Sequence, residues 1–248
     1  MTSAAPKVLW TPSPERIERS TLTRYMRWLS ESRSLSFADY DALWRWSVDS
    51  LEDFWQSIVE FCDVQWAAEP SSVLGVREMP GAEWFPGARV SYPERMFRGR
   101  SDSEVAIRHA SELRPEVGEW TWGRLREETA AIAAGLRELG VEPGDRVVAY
   151  MPNIPETVAC LLACASLGAI WSSAAPEFGA RSVIDRFAQI EPKVLLAVDG
   201  YRYGGRDFDR RAQVNQIARA LPGLERVVEF GYLDCLLYTS PSPRDRQK

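Results

Sequence analysis

From residue 104 onward, short apolar runs alternate with amphipathic helical patterns at roughly 20–30-residue spacing, and this alternation limits the fold more than any other feature. Residues 104–109 alternate as a strand does. The run Glu119-Trp120-Thr121-Trp122 leads into a helix with Leu125, Thr129, Ile132, Leu136 and Leu139 on one face, and Gly140 is placed to end it. Pro143-Gly144-Asp145 is a turn, and residues 146–150 read as a buried strand. Pro155-Glu156 opens an apolar helix running to Leu167 and stopped by Gly168. Further strands are expected over 169–173, 193–198 and 226–230, with helices from Gly179 through Phe187 and over 208–221. Strand–helix–strand units of this kind build a mainly parallel α/β sheet. Such sheets take ligands at the carboxyl ends of their strands, so the loops after Tyr150, Ser173 and Val198 are the places to look.

Before residue 90 the pattern is helical. Ser20 can cap a helix carrying Leu22, Tyr25, Met26 and Leu29, and Ser36 with Asp39 resembles a capping box ahead of Tyr40, Leu43 and Trp44. Ser50 with Asp53 repeats the device before Leu51, Phe54, Trp55, Ile58, Val59 and Cys62. Five of the ten tryptophans, Trp28, Trp44, Trp46, Trp55 and Trp66, are expected to bury area against a larger body. Residues 71–100 turn repeatedly through Pro80-Gly81, Pro86-Gly87 and Pro93 and read as a loop-rich connection.

Composition removes several function classes. The 248 residues carry a net charge of −5 without a basic run, a poor match to nucleic acid or a membrane surface. The longest apolar stretch, residues 158–171, is 14 long and contains Ser166 and Gly168, whereas a membrane-spanning helix needs about 20. The opening MTSAAPKVLW has no apolar signal core, which points to the cytoplasm. Four cysteines without a CxxC spacing suggest neither a metal site nor a disulfide framework. His109 is the only histidine, which excludes HExxH zinc chemistry. The ending CLLYTSPSPRDRQK, residues 235–248, has no period and looks like a translated sequencing adaptor; it is set apart from the fold.

Three loops offer chemistry. Met151-Pro152-Asn153-Ile154-Pro155-Glu156 is a stiff turn with a helix-start carboxylate. Ser172-Ser173-Ala174-Ala175-Pro176-Glu177-Phe178-Gly179 offers small residues ahead of a helix N-terminus, a candidate anion site that is not a Walker loop. Asp199-Gly200-Tyr201-Arg202-Tyr203-Gly204-Gly205-Arg206 sets two arginines and three glycines beside a strand end. Arginine forks suit phosphate oxygens, and glycines let the backbone approach; a solvated turn fits the same pattern.

These residues carry a resemblance. Ser36-Phe37-Ala38-Asp39-Tyr40-Asp41-Ala42 with Trp46-Ser47-Val48, Phe85-Pro86-Gly87-Ala88, Gly144-Asp145-Arg146-Val147 and Met151-Pro152-Asn153-Ile154-Pro155-Glu156-Thr157 resemble the adenylate-forming acyl-CoA synthetases. Gly168-Ala169-Ile170-Trp171-Ser172-Ser173, Pro176-Glu177-Phe178-Gly179 and Asp199-Gly200-Tyr201 with Tyr203 are similar to the acetoacetate–CoA ligase branch, from which Ala175 (for Ser) and Glu177 (for Asp) depart. The resemblance implies a helical amino-terminal cap over residues 1–90 and the first part of the nucleotide-activating α/β domain over 91–234. It implies ATP, CoA and Mg²⁺ for the complete enzyme, with acetoacetate, ATP and CoA as small-molecule partners. A ligase for another short acid of the acetate or propionate type, and a non-catalytic binding module, remain the alternatives.

The family's Ser/Thr/Gly-rich triphosphate loop ending in Pro-Lys is not found after Gly179, and no catalytic or metal-binding residue is assigned. The chain is therefore expected to be the front of a longer protein, inactive and poorly soluble alone because a parallel sheet cut midway leaves an open edge. In related acetyl-CoA synthetases an Arg/Gly loop contacts CoA phosphate. Carried over, this assigns Arg202, Tyr203, Gly204, Gly205 and Arg206 to CoA: Arg206 matches the motif's last basic residue, Tyr203 stands where its first arginine would be, and Arg202 is adjacent.

Overall fold

The computed structural model describes residues 8–234. The readings on the first seven residues and on the tail, residues 235–248, lie outside the described residues. The chain divides into two compact units that part between Val90 and Ser91.

The first unit is built on four helices, α1 (Pro14–Glu18), α2 (Thr21–Arg33), α3 (Tyr40–Asp49) and α4 (Leu51–Phe61). Ser20 caps α2 as expected, its hydroxyl accepting the Thr23 N–H at 3.1 Å. For α3 the cap is Asp39 and not Ser36: the aspartate accepts the Ala42 N–H at 2.8 Å, because its shorter offset to the first helical residue places the carboxylate over the free amides. Ser50 stands at the N-cap of α4 without a side-chain bond. Tyr25, Leu29 and Leu43 form the buried centre, ringed by Trp28, Trp46, Phe54, Ile58 and Phe61, and the Tyr25 and Ser57 hydroxyls meet at 2.5 Å. The tryptophan expectation holds only in part. Trp28 and Trp46 pack into this cluster, whereas Trp44 and Trp55 are 52% and 40% exposed. The stretch read as a loop contains a small antiparallel ribbon, β1 (Leu74–Val76) with β2 (Glu83–Trp84). Strands of two or three residues are too short for alternation to reveal them.

The second unit opens with a short helix that the sequence reading also missed, α5 (Tyr92–Phe97), capped by Ser91 with Pro93 in its first turn. An antiparallel pair follows, β3 (Val105–His109) with β4 (Gly118–Thr121), and then α6 (Trp122–Glu138). Next come β5 (Arg146–Tyr150), α7 (Pro155–Ser166), β6 (Ile170–Ala174), α8 (Ala180–Phe187) and β7 (Val194–Val198). The remainder is β8 (Gly200–Tyr203), β9 (Arg206–Asp209), α9 (Arg211–Ala220) and β10 (Arg226–Phe230). Strands β10, β7, β5 and β6 lie side by side in that order and run parallel. The expected α/β architecture with a mainly parallel sheet is what the chain forms.

Strand periodicity of two fixes the layers. Val147, Ala149, Val194, Leu196 and Val198 point to one face, where they meet Ala133, Leu136, Cys160, Ala163 and Cys164. Val148, Tyr150, Leu195 and Ala197 point to the other, against Val183, Phe187, Val214 and Ile217. All five residues of β7 are buried, as a central parallel strand covered on both faces must be. Each large apolar side chain buried there stabilises the fold by about 1.5–3 kcal/mol. The outer strands are β6 and β10, where Ile170 and Val227 are about half exposed.

Candidate functional site

The site lies at the carboxyl end of this sheet, and Asp199, the residue after β7, organises it. Asp199 is 1% exposed. Its Oδ1 accepts the N–H groups of Tyr232 and Leu233 at 2.7 and 2.8 Å, and its Oδ2 accepts that of Asp234 at 2.7 Å. The segment leaving β10 is thereby tied to the end of β7. Gly200 is obligatory next to it, since a Cβ there would stand 2.5 Å from the Phe208 carbonyl oxygen and 2.6 Å from Leu233 Cδ2.

The residues read as a loop from 199 to 206 form a β-hairpin. Strand β8 pairs with β9 in the register Tyr203 opposite Arg206, Arg202 opposite Asp207, Tyr201 opposite Phe208 and Gly200 opposite Asp209. The connection is the two-residue turn Gly204-Gly205, with φ of 60° and 70°. Two consecutive positive φ values are what a type I′ turn needs, and glycine reaches them without strain. A Gly-Gly pair between alternating residues was the signal for a hairpin in the sequence. The same hairpin shortens the expected 208–221 helix, because Phe208 belongs to β9 and α9 begins at Arg211.

Pleating sorts the candidate residues onto opposite faces. Tyr203 and Arg206 share one face with Tyr201 and Phe208; Arg202 is on the other with Asp207. Arg202 is engaged there in a forked ion pair, Nε to Oδ1 at 2.6 Å and Nη2 to Oδ2 at 3.0 Å. On the first face the Tyr201 and Phe208 rings stack, with centroids 5.1 Å apart, and the Arg210 guanidinium lies over both. Tyr203 is 72% exposed at the tip. Arg206 is also exposed, and its side chain has no ion-pair or hydrogen-bond partner among the described residues.

Residues 110–117, between β3 and β4, run across this end of the sheet as a strap that no sequence signal announced. Leu113 packs on the core, and Ser111 Oγ accepts the Tyr232 hydroxyl at 2.7 Å. Arg114 pairs with Glu156 at 2.9 Å and lies over the Tyr232 ring. The Glu156 carboxylate, expected simply to favour the α7 dipole, thus also anchors the strap. Glu112 accepts the N–H of Gly204 on Oε1 and of Gly205 on Oε2, both at 2.8 Å. These amides, Gly205 first, hold its carboxyl below the usual glutamate range.

The loop after β6 is arranged differently. The Tyr150 hydroxyl lies 2.7 Å from the carbonyl oxygens of both Pro176 and Phe178 and fixes that turn from beneath. Among the described residues no group of three or more His, Cys, Asp or Glu side chains is placed to hold a metal ion. No described helix is long and apolar enough to cross a membrane.

The chain as a whole is similar to known proteins. The family model "AMP-binding enzyme" matches residues 97–245, more than half of the chain. The chain belongs to the AMP-binding enzyme family. A second model, "Acetyl-coenzyme A synthetase N-terminus", matches residues 40–94. Among curated relatives, the acetoacetyl-CoA synthetase of Macaca fascicularis is 36% identical over 231 residues, covering 92% of this chain and 34% of the relative. That of Rhizobium meliloti (strain 1021) is 38% identical over 227 residues, 91% of this chain and 34% of the relative. The solved acetoacetyl-CoA synthetase from Streptomyces lividans superposes with a TM-score of 0.87 at 45% identity, covering 96% of this chain and 36% of that one. This family member therefore spans about a third of the length of the relatives it matches.

Proposed function

We propose that the chain is the front part of an acetoacetate–CoA ligase. Residues 1–90 would be its amino-terminal cap and 91–234 the first part of its nucleotide-activating domain. In the reaction so assigned, an acetoacetate oxygen attacks the α-phosphorus of ATP and pyrophosphate leaves. The CoA sulfur then attacks the acyl carbon and AMP leaves, its phosphate keeping the electron pair of the broken C–O bond. Activation is needed because a carboxylate is a poor acyl donor and a mixed anhydride a good one. Mg²⁺ would neutralise phosphate charge in the first step. No residue of this chain is assigned to the metal, to the triphosphate or to the chemical steps.

What this chain contributes is a CoA contact at the hairpin tip. The supporting observation is Arg206, an exposed guanidinium with no partner among the described residues, on the same face as exposed Tyr203 and beside two glycine amides. A guanidinium fork suits a terminal phosphate monoester such as the 3′-phosphate of CoA. Arg202 has the supporting task of closing the hairpin through Asp207 and adding positive charge nearby. The test is kinetic, in the full-length ligase that carries this segment. Arg206→Ala should raise the KM for CoA about tenfold, the worth of one charge-assisted contact, and leave ATP–pyrophosphate exchange unchanged. Equal losses in both assays overturn the assignment.

A further inference from the structure

The Gly204-Gly205 turn is an anion seat, and the protein fills it with one of its own side chains. Successive backbone N–H groups in a tight left-handed turn converge on one point and form a concavity for negative charge. Here the two N–H groups each meet a different oxygen of Glu112, at 2.8 Å. That is a two-oxygen, charge-assisted footprint which two oxygens of a phosphate would reproduce.

Glu112 is held at the surface by these two bonds alone among the described residues. Its departure would not release the strap, because Leu113 is packed on the core, Ser111 is bound to Tyr232, and Arg114 is bound to Glu156. One cation at the same hairpin tip has a side chain without a partner among the described residues, Arg206, while Arg202, held on Asp207, adds its charge to the field at the Glu112 carboxylate. Arg202 is forked onto Asp207 and makes no bond to Glu112.

We propose that Glu112 is a displaceable stand-in for ligand phosphate: it occupies the Gly204 and Gly205 amides and yields them to a phosphate monoester. The identity of that monoester as the CoA 3′-phosphate rests on the reading above; the exchange of carboxylate for phosphate does not. The displacement is non-covalent. It makes Glu112 an internal competitor, so that only an anion able to take both amides and an arginine binds well.

The experiment titrates inorganic phosphate, and separately adenosine 3′,5′-bisphosphate, into the full-length protein that carries this segment and follows the Gly204 and Gly205 amide resonances, which report on this turn alone, together with the binding heat. In Glu112→Ala, inorganic phosphate should bind about five- to tenfold more tightly than in the parent, the gain from removing one competing hydrogen-bonded partner, and should shift both glycine amides. In Glu112→Gln, which keeps the size and one acceptor, the gain should be smaller and in the same direction. Unchanged or weaker phosphate binding in both variants overturns the proposal; weaker binding identifies Glu112 as a clamp that shapes the turn. Arg206→Ala separates the two readings. If it binds adenosine 3′,5′-bisphosphate as the parent does, the CoA assignment fails, while inorganic phosphate on Glu112→Ala still reports on the amide seat.

Discussion

Replacing Asp199 by asparagine keeps the size of the side chain, exchanges one oxygen for a nitrogen and removes a charge. In the native arrangement Oδ1 takes two N–H groups and Oδ2 takes one. The least costly orientation of the new amide therefore keeps its carbonyl oxygen on Tyr232 and Leu233 and turns its NH₂ toward the Asp234 N–H, donor against donor. One hydrogen bond to a charged acceptor is lost, worth about 1.5–3 kcal/mol, and the other two fall to neutral strength. With Asp199 1% exposed, water has little access to repair the loss. The expected destabilisation is about 2–4 kcal/mol, a large part of the roughly 5–15 kcal/mol that holds a domain together. In a chain of this length that lowers Tm by about 5–15 °C. Urea unfolding followed by tryptophan fluorescence gives the free energy, and hydrogen exchange at Tyr232, Leu233 and Asp234 locates it. Protection there should fall before protection in β5 and β7 does. A variant within about 0.5 kcal/mol of the parent, the range of ordinary surface changes, with unaltered exchange at those amides, would refute the reasoning.

Two further outcomes follow from buried or paired groups. Lys193 donates to Asp145 at 2.8 Å and holds its carboxyl below the usual range, while Asp145 raises the Lys193 ammonium. The pair's stabilisation is complete above the unfolded aspartate pKa, is lost as pH falls through the depressed folded value, and fades again as pH rises through the raised lysine value. The gap in urea midpoint between parent and Asp145→Asn should therefore narrow on acidification; a gap independent of pH would contradict the pairing. Burial pushes the Cys164 thiol up to about 12 and that of Cys160 up strongly as well. At about pH 8, near the ordinary thiol pKa, iodoacetamide should leave both unmodified until urea is added, as peptide mass mapping would show, and labelling of either in the folded chain would contradict their burial.

Local signals in the sequence carried the elements and their order. Pro155 opening α7, Gly140 and Gly168 at positive φ after two helices, and the alternation across 146–150 and 194–198 are decided within a few residues, so a linear reading finds them. Three elements escaped for the converse reason. The β1–β2 ribbon is too short to show a period, α5 hides its proline at a first turn where proline is tolerated, and the β8–β9 hairpin was masked by its charge. The five residues chosen for CoA do fall on one structural feature, the hairpin tip. Their division between two faces, however, needed the register: Arg202 and Arg206 are four apart in sequence, yet one strand position out of phase across the turn.

Glu112 was beyond reach in the sequence because its meaning is entirely long-range. It lies 92 residues before Gly204, in a segment with neither helical nor strand period, and nothing around it distinguishes it from a solvated glutamate. The same holds for Ser111, 121 residues before Tyr232, and for Arg114, 42 before Glu156. These contacts join the β3–β4 connection to the start of α7, to the hairpin tip and to the segment after β10. A parallel sheet forces this geometry: its strand ends converge at one edge while their loops are widely spaced in sequence, so one crossing segment can engage them all. The strap fastens its neighbours with a hydroxyl, a guanidinium and an apolar side chain, but touches the glycine turn only through an exposed carboxylate. The contact nearest the proposed ligand is thus the one made by the exposed residue of the four, Ser111, Leu113 and Arg114 being partly buried, and this difference along four consecutive residues is why displacement of Glu112 can leave the strap in place.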